Sequence, residues 1–191
     1  MREIALHLLD IAENSVAAES NNISVHVHED LLHDRLTASV IDDGRGMDQE
    51  TAERVQDPFY TTRTTRAVGL GIPLLKLAAE MADGSFSLQS ESGQGAWVEA
   101  EFRHSHIDRM PLGDLSTTFL TLLISHPQID WTFLYRLTEK NKQSHDFLFE
   151  SAELKSELGD ISLTEPEVLT FLRGLFEEGI EKVALQAVPE S

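Results

Sequence analysis

Three clusters of residues in this chain have the types and spacing to do chemistry. In the first, Val40-Ile41-Asp42-Asp43-Gly44-Arg45-Gly46-Met47, two β-branched apolar residues run into two acids and two glycines. The apolar pair predicts a buried strand ending at Ile41. The glycines then allow a sharp turn, or let a ligand lie against the backbone. A carboxylate at such a strand end can accept from a neutral amino group, such as the exocyclic amine of adenine, and orient it without a cation. The second cluster, Val68-Gly69-Leu70-Gly71-Ile72-Pro73, opens an apolar run through Met81. Glycines at a helix start let an anion reach open backbone N–H groups at the positive end of the dipole, and Pro73 is tolerated in the first turn. Between these two lies Asp57-Pro58-Phe59-Tyr60-Thr61-Thr62-Arg63-Thr64-Thr65-Arg66, a hydroxyl- and arginine-rich segment suited to a lid that sets cations and donors on phosphates. In the third cluster, His7, Asp10 and Asn14 stand three and four residues apart and share one side of a helix.

The elements needed to position these residues are legible from periodicity. Residues 2–20 carry a wide apolar face on which Leu8, Ile11 and Ser15 follow one ridge, which predicts a helix. Residues 23–28 alternate strictly, and 36–41 form their antiparallel partner. Asp48 to Val55 reads as a short helix, Val68 to Met81 as a glycine turn opening a longer one stopped at Asp83-Gly84, and 86–90 with 96–102 as a hairpin. Residues 1–103 therefore read as an α+β fold, a two-layer α/β sandwich of helices on an antiparallel sheet. His26 and His28 share a strand face and read as a solvent-facing pair.

Residues 104–112 lose periodicity and read as a linker. The stretch 113–191 reads as a small α+β domain: a helix capped at Asp114 or Ser116, a hairpin over 131–137 and 145–150, a short helix 152–158, and a last helix with Thr164 as its N-cap. Its aromatics read as core, and it shows no catalytic motif.

Composition bounds the function. The 191 residues include 33 acids against 15 Lys and Arg, a formal net charge of −18, which argues against nucleic acid or an anionic membrane as partner. Without cysteine there are no disulfides, thiolate metal sites or thiol nucleophiles. No apolar run spans a bilayer and Met1-Arg2-Glu3-Ile4 leads into no signal-peptide core, so a soluble cytoplasmic protein is expected.

Taken together the clusters resemble the ATP-binding domain of the histidine kinase-like ATPases, the GHKL superfamily with the Bergerat fold. Leu8-Leu9-Asp10-Ile11-Ala12-Glu13-Asn14-Ser15 is similar to its Asn motif, Asp42-x-Gly44-x-Gly46 to its adenine motif, and Gly69-Leu70-Gly71 and Gly93-x-Gly95 to its later glycine motifs. Pro58-Phe59-Tyr60-Thr61-Thr62-Arg63 is similar to the lid of nitrogen-regulation sensor kinases. The resemblance implies ATP and Mg²⁺ as cofactors. Asn14 would hold the metal, Asp42 the adenine amine, and Gly44 and Gly46 would admit the nucleotide, with Met47 on the base. Phe59 would anchor the lid, Thr61, Thr62, Arg63 or Arg66 would touch phosphates, and Gly69, Leu70 and Gly71 would form the phosphate loop.

Asp10 stands where superfamily ATPases carry a water-activating glutamate, and a carboxylate one turn from the metal ligand can serve as general base. Glu13, turned about 100° away on the helix, is a poorer candidate. Ala96 stands where a threonine often supports the adenine site, and Ala67-Val68 where kinases often carry glycine and threonine. The phosphoacceptor helix pair of sensor kinases is not seen ahead of the Asn motif. The expectation is a kinase or ATP-dependent switch acting on a protein partner, with a homodimer left open. The alternatives are a non-catalytic nucleotide sensor or adaptor, and an ATPase using Asp10.

Overall fold

A computed structural model describes residues 3–57 and 71–185. Alternation builds its sheet. In β1 (Asn22–Asp30) Ile23, Val25 and Val27 are buried, and between them Ser24, His26 and His28 stay half-exposed. The same period recurs in β2 (Arg35–Asp42) with Leu36, Ala38 and Val40, and in β4 (Gly95–Arg103) with Val98, Ala100 and Phe102. It also recurs in β5 (Asp130–Thr138) with Trp131, Phe133, Tyr135 and Leu137. Two edge strands, β3 (Ser85–Glu91) and β6 (Ser144–Glu150), complete a six-stranded sheet ordered β3-β4-β2-β1-β5-β6. Every pairing is antiparallel except β1 with β5.

Helices cover the apolar face. The first, α1 (Ile4–Ala17), buries Ile4, Leu8, Ile11 and Ala12, and α3 (Gly71–Met81) buries Pro73, Leu75 and Ala79. The short α2 (Gln49–Arg54) is capped by the Asp48 carboxylate, which accepts from the Thr51 N–H at 2.7 Å. Over β5 and β6 lie α4 (Leu115–Ser125) and α6 (Pro166–Leu185), with α5 (Ser151–Leu158) linking β6 to α6. The Phe119 ring of α4 stacks on Phe133 with centroids 4.5 Å apart, and Phe176 of α6 meets Phe133 edge-on at 5.9 Å. Apart from Phe171, which is exposed on α6, the aromatics of the second half are thus core, as expected from the sequence. The result is the two-layer α+β sandwich expected from sequence.

The second half does not stand apart from the first. Its hairpin adds β5 and β6 to the same sheet, with β5 paired to β1 over nine positions from Asn22–Asp130 to Asp30–Thr138. One continuous core runs from Leu8 of α1 to Phe176 of α6. Nor is 104–112 a spacer. Glu3 offers α1 no side-chain cap, and the N–H groups of Ile4 and Ala5 donate instead to the carbonyls of Pro111 and Leu112, at 3.0 and 2.8 Å. Two of the helix's four open donors are satisfied this way. His104 Nε2 lies 2.7 Å from Glu29 Oε2, whose other oxygen accepts from Tyr135 Oη at 2.6 Å. Thr164 does not cap α6; its hydroxyl lies 2.8 Å from that of Ser162, and the helix begins at Pro166. Among the described residues no helix is long and apolar enough to cross a membrane.

Candidate functional site

The Asp42 carboxylate sits where β2 ends and the chain turns back beneath the end of α1. Ser15 Oγ donates to Oδ2 at 2.6 Å, and the Gly44 N–H donates to Oδ1 at 2.9 Å. Ser20 Oγ, 3.2 Å from Oδ1 and 2.7 Å from the Ser15 carbonyl, divides its single proton between them. A carboxylate has about four lone-pair positions, so one on Oδ2 stays open to a further donor. Ala96 is the cross-strand partner of Asp42. It brings no hydroxyl, and the hydroxyls that hold the acid come from the α1 side. The next residue, Asp43, accepts from the N–H groups of Asn21 and Asn22 and from the Asn22 amide at 2.7–2.9 Å. Partial burial pushes its pKa up, but those donors outweigh it and hold the carboxyl below its ordinary value.

Protein atoms account for the glycines of this turn. A Cβ on Gly44 would press on Ser20 Oγ and the Ala18 carbonyl at 2.5 and 2.8 Å. At Gly46, where φ is +62°, it would collide with the Glu91 carbonyl, and at Gly95, where φ is +91°, with that of Asp42. The turns after β2 and β3 therefore lie backbone against backbone. They are joined by Gly93 N–H to the Arg45 carbonyl at 2.7 Å, and by Ser90 Oγ, which accepts from Met47 N–H at 2.9 Å and donates to the Gly95 carbonyl at 2.7 Å. On the side where a Cβ would stand, Gly44 and Gly46 thus meet the protein itself.

On α1, Asp10 and Asn14 lie one turn apart and are half-buried. The Asp10 carboxylate rests on Gly71, the first residue of α3, so closely that a Cβ there would collide with it. His7, one turn earlier, is 1% exposed. Burial pushes its imidazole pKa down, against the opposing pull of a hydrogen bond with the Gly71 backbone and of the Asp10 charge. Its Nδ1 has no hydrogen-bond partner among the described residues. Glu13 points elsewhere, to His126 Nε2 at 3.0 Å. Asp10 thus meets Gly71 at the start of α3, Asn14 follows one turn later on α1, Asp42 is bonded to the next residue, Ser15, and Met47 is tied to Ser90 at the end of β3. Phe59, Thr61, Thr62, Arg63, Arg66, Gly69 and Leu70 lie outside the described residues.

Sequence reading missed Ser15, Ser20 and Ser90. Ser15 did leave a signal: it is the one hydroxyl on the apolar ridge of Leu8 and Ile11, and a buried hydroxyl needs a partner.

The fold is thus a helix–sheet sandwich with an acid held at a strand end and, across α1, a helix that begins at Gly71. Residues 1–106 match the family described as histidine kinase-, DNA gyrase B- and HSP90-like ATPase. The chain belongs to that family.

Sporulation kinase C of Bacillus subtilis is 30% identical over 88 residues, covering 46% of this chain and 20% of that protein. The sensor protein kinase FleS of Pseudomonas aeruginosa is 38% identical over 88 residues, covering 46% and 22%. This chain therefore spans about a fifth of the length of either relative. The solved N-terminal domain of a DNA repair protein superposes with a TM-score of 0.52 at 13% identity, over 76% of this chain and 52% of that one, a likeness of fold.

Proposed function

We propose that this chain binds Mg²⁺–ATP and uses it toward a protein partner, as phosphoryl donor or as conformational signal. The observation that carries the reading is the Asp42 carboxylate, fixed by Ser15 and the Gly44 N–H with one acceptor position open. An acid so held is preorganised for the amine of adenine, and Met47 at the same turn would pack on the base. The polar groups on that side of α1, the Asn14 amide and the Asp10 carboxylate, are oxygen donors of the kind Mg²⁺ takes beside phosphate oxygens. Asn14 would hold the ion, whose bound charge would neutralise the phosphates. The start of α3 at Gly71 would receive a phosphate at its open N–H groups. Phe59, Thr61, Thr62, Arg63, Gly69 and Leu70 would complete the lid and phosphate loop. Such a set acts by positioning and charge neutralisation, which is what phosphoryl transfer requires.

The test is calorimetric titration with ATP and magnesium, with Asp42→Ala and Asn14→Ala beside the wild type. Binding that both substitutions weaken supports the proposal. A wild type that takes up no ATP at millimolar concentration overturns it and leaves an adaptor.

A second reading, an ATPase in its own right, is favoured by Asp10 standing beside both Asn14 and Gly71. Asp10→Asn that binds ATP normally but no longer hydrolyses it would support that reading. Unchanged turnover would leave the first reading, or a nucleotide sensor.

A further inference from the structure

The side of the sheet away from the helices carries an unpartnered patch at the β3–β4–β2 end. Trp97 is 39% exposed there and its cross-strand neighbour Ile41 37%, whereas the chain's other tryptophan, Trp131, is 1% exposed. Gln89 lies opposite Trp97 on β3. These three, together with Asp42, Glu91 and Gln94 among others, line an open depression of ≈ 380 Å³ at the end of the sheet.

Two carboxylates flank the indole. Glu99 follows Trp97 by two residues on the same strand face, and Glu91 sits diagonally across on β3, beside Gly95. Two other acids on this face are already neutralised. Arg35 holds both oxygens of Glu101 at 2.7 Å, and Arg136 reaches Asp146 at 2.8 Å. Among the described residues no cation pairs with Glu91 or Glu99. Burial and the neighbouring Glu101 charge hold the Glu99 carboxyl above its ordinary value, as expected of an acid lacking a counter-charge.

We propose that Trp97, Ile41, Glu91 and Glu99 form a docking surface for an arginine-bearing extended segment of a partner protein. A guanidinium lying flat on the indole face makes a cation–π contact, and carboxylates on either side accept its N–H donors. Same-face neighbours two residues apart on a strand lie about 7 Å apart, within reach of a guanidinium stacked on the ring. The neighbouring Ile41 receives the aliphatic stem. The chain's net charge of −18 steers a basic segment toward it. Trp97, Ile41 and Glu99 lie on the opposite face of the sheet from α1 and α3, and at its end the depression also reaches Asp42, the proposed adenine acceptor.

The test uses the whole chain and two short peptides, acetyl-Gly-Arg-Gly-Arg-Gly-amide and its counterpart with citrulline for arginine, followed by amide chemical shifts. The arginine peptide is expected to move resonances in 39–41, 87–91 and 96–99, with affinity that falls as salt rises. The citrulline peptide should bind much more weakly. Glu99→Gln should weaken binding about two- to fivefold, and Trp97→Ala about three- to tenfold, with Trp97→Phe recovering most of the loss. Equal binding of both peptides, shifts confined to other surfaces, or Trp97→Phe as weak as Trp97→Ala would overturn the proposal. So would a Trp97-dependent dimer in sedimentation without peptide, which would assign the patch to a second copy of the chain.

Discussion

Ser15 Oγ donates to Asp42 Oδ2 at 2.6 Å, across 27 positions of sequence, and so locks the end of β2 to the last turn of α1. The hydroxyl is 4% exposed, and a bond from it to an ionised carboxylate is worth about 1.5–3 kcal/mol. Asn14 is the preceding residue, so the bond also fixes the spacing between the proposed metal ligand and the proposed adenine acceptor. Ser15→Ala is expected to lower stability in urea by about 1–2 kcal/mol. In the same variant ATP should bind about three- to tenfold more weakly, read by calorimetry against Ser20→Ala, whose shared proton makes its loss smaller.

Gly46 and Gly93 both have positive φ, at +62° and +80°, but only Gly46 meets protein where a Cβ would stand. Gly93→Ala should therefore cost only the left-handed strain, about 1 kcal/mol. Gly46→Ala adds a collision with the Glu91 carbonyl and should cost about 3 kcal/mol or more, since one of the two turns must move. Urea midpoints of the two variants check the ordering. Equal losses would mean that the turns are not packed against each other as described.

This pair also shows where sequence reading stops. Asp42-x-Gly44-x-Gly46 was read correctly as a turn after a strand, because β-branched residues and glycines act locally. The reason for Gly46 lies at Glu91, 45 positions away, and no local pattern carries it. The same limit explains the second half. The β5 and β6 patterns were legible within one or two residues, since alternation between Trp131, Phe133 and Tyr135 is a local property. The pairing of β5 with β1 is not, because a parallel neighbour is reached only through a long crossover and leaves no turn signature. The aperiodic segment 104–112 was read as a linker for the same reason, since its carbonyls serve α1 from about a hundred residues away. His7, Asp10 and Asn14 were correctly placed on one side of α1, but their burial depends on α3 and on no property of the helix itself.

Glu29 ties the far end of the sheet to the crossover through His104 and Tyr135. Burial pushes its pKa up, but the His104 and Tyr135 bonds outweigh this and hold the carboxyl below its ordinary 4.5. The unfolded chain then takes up that proton first. The contribution is complete above the unfolded value and is lost as pH falls through the folded one. At pH 7 Glu29→Gln should be less stable than the wild type by about 1–3 kcal/mol. The difference should shrink as pH drops below 4.5, which paired urea titrations at several pH values would show. A gap that stays constant with pH would mean that Glu29 acts through packing alone.

The continuous sheet makes a sharper prediction about the family-matched region, residues 1–106. Cut there, the chain keeps the Asp42 turn, Asp10 and Asn14, yet loses everything that closes β1 on its β5 side. Along the nine positions now beside β5, the N–H and C=O groups directed at that strand would be left unpaired, and Val25 and Val27 would lose the β5 residues beside them. The first turn of α1 would lose the Pro111 and Leu112 carbonyls, and the apolar face that carries Leu8 would lose the packing of α4. An open edge flanked by exposed core favours aggregation over folding. Fragment 1–106 is therefore expected to be insoluble or to lack a cooperative thermal transition, whereas the full chain melts as one unit. A soluble fragment that melts cooperatively and binds ATP as the full chain does would show that the second half is dispensable to the first. It would also restore the division at 104–112 suggested by the sequence.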